Sequence, residues 1–564
     1  RNDAFAQRLD LGRVNVQAND AMPEVGEAGS GDQTDVSDTD YADRRFCVNH
    51  VLRAPLVVCR KGYSGASVYH SLLESQGVAV VEWARSTLSV ESRGVRTMGR
   101  SRRLAAIIAI TIFALLAWTA VAQAHSVLRA LDDPNLLRYG QAQRDATVLE
   151  IGTNLRAGLI RIDVLWPAAE PTKGVVDPTY MANLVATVDA ARAAGMQVII
   201  TVGLTPKWAS DRTYWSAPPY GMPKNRYQAF YPVDASAIAD FTAFAKTLAT
   251  TLQGKVLGYE CWNEPNIWTQ LYPQRTISDS AFAVHKYLKL LKAFSAGIKQ
   301  AADPAAPLVI AGSTAPMGDN SKYRTSPQRF ARLLKSAGAS AYFDAYAHHP
   351  YVPGGTANVS PSAPPRDPYT TVTLQNLPVL LKLFPGKPFY LTEYGYSTSY
   401  SLAFGLPVSQ VAQASYLRQA YAVAGRYTQV KALVWYQLRD WSPTGKTSSA
   451  LGFYLGLKTL SGTPKRAYYA FAGGNKLTIV APASIRHGRT GVITGLLTST
   501  PMGVLAGMSV DLQRYSSGAW HTLKTVKTST LGTCRFAIGS KATAYYRVNW
   551  RGVTVSPKAR VLVN

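Results

Sequence analysis

Between residues 125 and 474 the chain alternates short apolar runs with stretches of helical periodicity. Gly158–Asp163, Met196–Gly203, Val256–Glu264, Pro307–Ser313, Phe343–His349, Lys387–Gly395 and Val430–Leu438 read as strands. Between and after them, Tyr180–Gly195, Ala235–Leu252, Ser278–Ala302, Pro327–Gly338, Thr371–Leu383, Gln410–Tyr427 and Lys465–Ala472 read as helices. An eighth, first strand belongs near Leu128–Arg138, where the pattern is weaker. Apolar strands separated by helices predict a parallel sheet buried on both faces. Eight of them within about 350 residues predict an α/β fold closed as a (β/α)8 TIM barrel. A doubly wound open sheet is the competing architecture, but no Gly-rich phosphate loop follows any strand.

The texture changes on either side of this region. Residues 475–564 carry short alternating stretches and turn residues with no helical pattern, as in Leu477–Val480, Met508–Leu512 and Ala544–Val548, and predict a small all-β sandwich. Upstream, residues 98–124 combine the basic stretch Met98-Gly-Arg-Ser-Arg-Arg103, the apolar run Leu104–Ala120 and the small-x-small site Ala122-Gln123-Ala124. A basic head, an apolar middle and an A-x-A end make up a secretory signal peptide. An uncleaved membrane anchor is the competing reading, since the run nearly reaches spanning length. Met98 has the position of a natural start. Residues 1–97 lack sustained periodicity and are expected to be a non-native or disordered upstream extension. The expected localisation is secreted or cell-surface.

Composition narrows the function. Hydrophobic residues make up 47% of the chain and charged residues 17%, enough apolar mass for a large core and too much for a disordered chain. The cysteines Cys47, Cys59, Cys261 and Cys534 match no zinc or redox spacing, and no disulfide, metal or cofactor is expected.

In a barrel of this kind, reactive groups sit at the C-terminal ends of the strands. The fourth strand ends Tyr259-Glu-Cys-Trp-Asn-Glu264-Pro-Asn266 and the seventh ends Tyr390-Leu-Thr-Glu393-Tyr-Gly395. Two glutamates therefore face each other across the mouth, in a region that holds only Glu150, Glu170, Glu260, Glu264 and Glu393. Such a pair suits glycoside hydrolysis, in which one carboxylic acid protonates the leaving oxygen and the other carboxylate attacks carbon or activates water.

Trp262-Asn263-Glu264-Pro265-Asn266 resembles the acid/base motif of clan A glycoside hydrolases, and Leu391-Thr392-Glu393-Tyr394-Gly395 is similar to the clan's nucleophile strand. The resemblance covers about residues 125–473. It implies a retaining enzyme with Glu264 as acid/base and Glu393 as nucleophile, the first with a raised pKa and the second with a lowered one. It further implies that Asn263 binds the sugar 2-hydroxyl and that Arg161 keeps the nucleophile ionised. His349 and Tyr351 resemble the strand-six pair near the nucleophile, and Trp435 the tryptophan floor under the reacting sugar. Arg161 could alternatively serve as a barrel ion pair with Glu260, and His348 is as readily structural as functional. The resemblance departs from family 5 at the end of strand three, where that family often carries a histidine. Here the stretch is Thr205-Pro206-Lys207-Trp208-Ala209, closer to family 39.

Residues 476–564 carry twelve Lys/Arg and a single acid, Asp511. A domain this basic is drawn to polyanions, with an anionic cell-wall polymer, an acidic polysaccharide or a membrane surface as the candidates ahead of nucleic acid, and a solvated spacer with incidental charge as the competing reading. Val510–Val548, with Trp520 and Tyr545-Tyr546-Arg547, is similar to bacterial immunoglobulin-like repeats. The expected function is hydrolysis of a β-linked polysaccharide or oligosaccharide. A transglycosidase on the same site and a non-catalytic cell-surface polysaccharide-binding protein are the alternatives.

Overall fold

A computed structural model describes residues 126–216, 228–353, 359–443, 445, 449–500, 502–539 and 541–564. The expectations for residues 1–124, including Cys47, Cys59 and the signal-peptide stretch, lie outside the described residues. Among the described residues, no helix is long and apolar enough to cross a membrane.

Eight parallel strands close a barrel in sequence order. They are β1 (Leu128–Asp132), β2 (Leu159–Leu165), β3 (Gln197–Gly203), β4 (Gly258–Cys261), β5 (Leu308–Thr314), β6 (Ala345–His348), β7 (Phe389–Tyr394) and β8 (Val430–Tyr436). The principal helices around them are α1 (Gln141–Leu149), α2 (Pro178–Ala193), α3 (Ile238–Thr251), α4 (Phe282–Gln300), α5 (Pro327–Ser336), α6 (Gln410–Ala424) and α7 (Arg466–Ala472). Local chemistry sets several helix starts. The Asp177 carboxylate accepts from the Tyr180 amide ahead of Pro178, and the Ser409 hydroxyl accepts from the Ala412 amide.

Strand alternation decides what fills the barrel. Ala130, Leu159, Ile199, Ile310, Ala345, Ala347, Tyr390, Ala432 and Val434 form one buried cluster inside it. The intervening residues, such as Leu131, Ile160, Ile200 and Leu433, belong to the larger core under the helices. Because side chains repeat every second residue, the next inward position on each strand lies one layer closer to the C-terminal mouth. There the apolar filling gives way to Asp132, Arg161, Thr201 and Glu260 on β1–β4. Cross-strand pairs Asp132↔Arg161 and Thr201↔Glu260 place them side by side.

Two irregularities complete that layer. In β5 the register shifts between Ala311 and Thr314, with Gly312 and Ser313 at φ +95° and +46°. A Cβ on Gly312 would lie 2.4 Å from the Tyr346 ring, so only glycine fits this turn of the chain. In β7 the register shifts between Leu391 and Tyr394, leaving two residues, Thr392 and Glu393, where regular alternation has one inward place.

Three expected elements are corrected. Thr371–Leu383 is not a helix; only Pro378–Leu381 forms a turn. The Asn376 side chain takes up the Thr373 amide and the Thr371 carbonyl at 2.8 and 2.9 Å, and those bonds favour a loop. The strand expected to run to Glu264 stops at Cys261, because Trp262 and Glu264 adopt φ +69° and +40°. The first strand ends at Asp132, before a short turn at Leu136–Arg138.

The C-terminal region is a β-sandwich. One sheet carries β9 (Asn475–Val480), β11 (Thr490–Ser499), β12 (Gly503–Val504) and β15 (Thr533–Gly539). The other runs in the order β10 (Ser484–Ile485), β18 (Ala559–Val563), β16 (Ala544–Trp550), β13 (Ser509–Ser516) and β14 (Ala519–Lys527), with β17 (Thr554–Val555) paired to β16. Ile493, Leu497, Phe536 and Ile538 from the first sheet and Val510, Leu512, Tyr546, Val548 and Trp550 from the second are buried. Cys261 and Cys534 are buried free thiols. The sandwich packs on the barrel: Arg418 donates to the Val553 carbonyl at 2.7 Å, and the Tyr469 and Trp550 rings lie 5.1 Å apart.

Candidate active site

The chemistry at the mouth starts from one fully buried guanidinium. Arg161 donates to Asp132 at 2.7 Å, to Glu393 at 3.0 Å, to Glu260 at 2.9 Å and to the Asn263 side-chain carbonyl at 2.8 Å. Asp163, two places further along β2, lies 3.1 Å away. Arg161 thus contacts both Glu260, as in the ion-pair reading, and Glu393. Four carboxylates around one buried cation leave surplus negative charge. Burial, then Asp163, pushes the Asp132 carboxyl well above the ordinary range, although Arg161 opposes this.

Glu393 departs from expectation. Its carboxyl is raised from 4.5, not lowered. Burial is the largest cause; His349 and Arg161 pull the other way, and Glu264 and Asp163 add to the rise. The expectation counted the neighbouring cation and omitted the cost of desolvation and of nearby acids.

Glu264 and Glu393 both reach the surface, with side chains 17% and 12% exposed. The positive φ of Glu264 is held in place by its amide, which donates to the Ser313 carbonyl at 2.9 Å. His349 links the two glutamates, with Nδ1 3.0 Å from Glu264 and 3.6 Å from Glu393. Its Nε2 lies 3.1 Å from both Ser313 Oγ and Thr392 Oγ1. Burial disfavours the charged ring, but Glu393 and Glu264 outweigh it and raise the His349 pKa above 6.5. Tyr351 donates to Glu393 at 3.1 Å, and burial beside Glu393 keeps its phenol protonated. One oxygen of each glutamate and a His349 ring nitrogen all lie within 4.8 Å of one another. Such a trio could span a cation, but each member is already engaged in the hydrogen bonds just described.

Glu264, Glu393, Asn263, Arg161, His349 and Tyr351 therefore converge. His348 does not join them. Its Nδ1 meets Thr314 at 2.8 Å and its Nε2 the Val372 carbonyl at 3.0 Å, and burial lowers its pKa to about 3. It is a neutral strut for the loop after β6.

Trp435 also falls outside the mouth. It is fully buried, pairs in register with Leu131 and Tyr394, and donates to the Leu455 carbonyl at 2.9 Å. Its strand neighbour Tyr436 pairs with Asp132 and so faces inward. Burial, then the charge of Glu393, raises the Tyr436 phenol well above 10. The aromatic at the mouth on β8 is thus Tyr436. Alternation along the strand carried the signal, because Ala432 and Val434 share the parity of Tyr436.

Sequence reasoning also passed over Asp132, Asp163, Ser313 and Thr392. The first two follow from the same parity as Arg161. Thr392 shares the inward parity of Tyr390, whereas Ser313 faces inward because of the β5 register shift, which leaves no mark in a hydrophobic pattern.

A closed eightfold barrel with a glutamate pair on β7 and just past β4 defines the class: a glycoside hydrolase. The chain belongs to glycosyl hydrolase family 5, the cellulase family, whose sequence model matches residues 126–423. Within the strand-three departure, Thr205–Ala209, the Thr205 hydroxyl donates to the Tyr231 carbonyl at 2.7 Å. No match was found among curated protein sequences.

Similar solved structures include a family 39 glycoside hydrolase from the gut symbiont Bacteroides cellulosilyticus WH2 at 17% identity and TM-score 0.43, covering 74% of this chain and 81% of that one. An exo-beta-1,4-mannosidase from Opitutaceae bacterium strain TAV5 is similar at 19% identity and TM-score 0.41, covering 61% and 58%. A family 5 subfamily 18 protein from Streptomyces cattleya in complex with GlcNAc is similar at 19% and 0.44, covering 62% and 80%.

Proposed function

We propose that this family 5 hydrolase cleaves a β-linked polysaccharide or oligosaccharide with retention of anomeric configuration. The observation that carries this reading is the spacing of the two glutamates, whose facing oxygens lie within 4.8 Å. A separation of ~5–5.5 Å suits direct attack on the sugar, whereas ~6.5–9.5 Å leaves room for a water. Glu393 attacks the anomeric carbon as Glu264 gives its proton to the leaving oxygen. Glu264 then takes a proton from water, and the water oxygen displaces Glu393. Arg161 and Tyr351 orient the Glu393 oxygens, and Asn263, held by Arg161 through its side-chain oxygen, binds the 2-hydroxyl in this reading.

The reading also includes export, supported by the basic, apolar and A-x-A order of residues 98–124. Outside the cell the basic sandwich draws the enzyme to an anionic surface polymer. Proton NMR of the first product formed from an aryl β-glycoside or oligosaccharide tests retention: a β-anomer is expected, and an α-anomer overturns the role of Glu393. Sequencing the amino terminus of material from the culture medium tests export, with His125 the expected first residue.

A further inference from the structure

The sandwich presents an unusual row of side chains on the outer face of its five-strand path. The register β13–β14 pairs Tyr515 with Trp520, and the register β16–β18 pairs Tyr545 with Arg560. Between β13 and β16 the pairs run Gln513↔Arg547 and Arg514↔Tyr546, so Tyr515 and Tyr545 follow next on adjoining strands. Trp520, Tyr515, Tyr545 and Arg560 thus cross four strands in a line. Three spacings of ~4.8 Å make it about 14 Å long.

The row is not core. Tyr515 and Tyr545 are 43% and 38% exposed, while their strand neighbour Tyr546 is buried inside the sandwich. The Tyr515 and Trp520 rings lie 5.3 Å apart. Cations sit on the aromatics: Arg547 lies 4.4 Å from the Trp520 ring centre and Lys558 5.1 Å from that of Tyr545. Gln513 fixes Arg547 by accepting from its Nε at 2.8 Å. The one acid of the domain, Asp511, is already engaged by Arg551 and Thr525. Its charge therefore does not offset Arg547, Lys558 and Arg560.

Exposed flat aromatic rings offer faces for the apolar sides of sugar rings, and the cations beside them offer partners for carboxylate or phosphate substituents. We propose that this face binds an anionic polysaccharide chain laid across the strands from Trp520 to Arg560. The proposal names the surface behind the polymer attraction read above. It rests on that reading only in choosing a glycan over a nucleic acid.

The test is affinity electrophoresis of the full chain through gels containing polygalacturonate, neutral hydroxyethylcellulose or no polymer, alongside hydrolysis of an aryl glycoside. Retardation by polygalacturonate alone is expected. Trp520→Ala, Lys558→Gln and Arg560→Gln should each weaken it about 2- to 5-fold, while Arg535→Gln, on the opposite sheet, changes it less. Hydrolysis should be unchanged in all four. Lys558 and Arg560 are exposed, so their variants keep the test sound if Trp520→Ala misfolds. The proposal is overturned if polygalacturonate does not retard the chain or if the face variants bind as well as the parent. It is also overturned if Arg535→Gln weakens binding equally, or if a DNA duplex at matched charge binds more tightly than polygalacturonate. Loss of aryl glycoside hydrolysis in the parent would count against the barrel reading and leave the binding result standing.

Discussion

The mouth of the barrel and the outer sheet of the sandwich handle charge in opposite ways. At the mouth, Asp132, Asp163, Glu260, Glu264 and Glu393 gather around Arg161 and His349, largely out of water. On the sheet, Arg547, Lys558 and Arg560 stand at the surface beside aromatic rings, and the domain's single acid is paired. The net effect of burial and neighbouring charges at the mouth is to raise the pKa values of Asp132, Glu393 and His349. Charges on the sheet are solvated and act by long-range attraction, which salt screens over ~8–10 Å. One region gathers groups for proton and carbon chemistry, and the other, in the proposal above, a polyanion-binding face, within a chain whose net charge is +26.

The comparison breaks most sharply at Glu393. Glu393→Ala should lower kcat on the order of 10⁴-fold or more and leave retardation by polygalacturonate intact; a loss of both would mean that the two regions are not independent. Next, Arg161→Met removes the shared cation and strands buried carboxylates. It should cost about 3–5 kcal/mol in urea denaturation, whereas Arg560→Gln on the sheet should change stability within about 0.5 kcal/mol.

Tyr351→Phe deletes a hydrogen bond to a charged group worth about 1.5–3 kcal/mol, so kcat/KM should fall about 10- to 100-fold. A pH profile sharpens the electrostatic side. In the proposed mechanism Glu393 attacks only when ionised, and its pKa is raised, so the acid limb of kcat/KM should lie above 4.5 and activity should be lost as pH falls through it. A limb below 4.5 would show that Arg161 and His349 outweigh burial. The smallest effect distinguishes the two neighbours on β8: Trp435→Phe should cost about 1–3 kcal/mol of stability with KM unchanged, and Tyr436→Phe should alter KM with little change in stability.

How much could be read from the residues differs along the chain. The barrel strands announced themselves because each is an apolar run that must be buried on both faces. The glutamate pair was legible because strand ends are where a barrel exposes side chains. Trp435 lies outside the mouth because neighbouring aromatics on a strand point to opposite sides, and it shares the parity of Leu433 while Tyr436 shares that of Ala432 and Val434. Thr371–Leu383 was misread because side-chain bonds from Asn376 outcompete helix formation in a pattern that otherwise suits one.

By itself, the sequence determined the order of the barrel strands, the basic composition beyond residue 475 and the place of two glutamates at or just past the ends of strands four and seven, since these follow from periodicity, composition and local motif. The tertiary structure alone decided which side chains meet: Arg161 joined to both Glu260 and Glu393, His349 between the glutamates, and Glu393 with a raised pKa. Such contacts link residues as far apart as 161 and 393. Their energies depend on exclusion of water and on all neighbouring charges at once, and neither quantity is carried by a local stretch of chain.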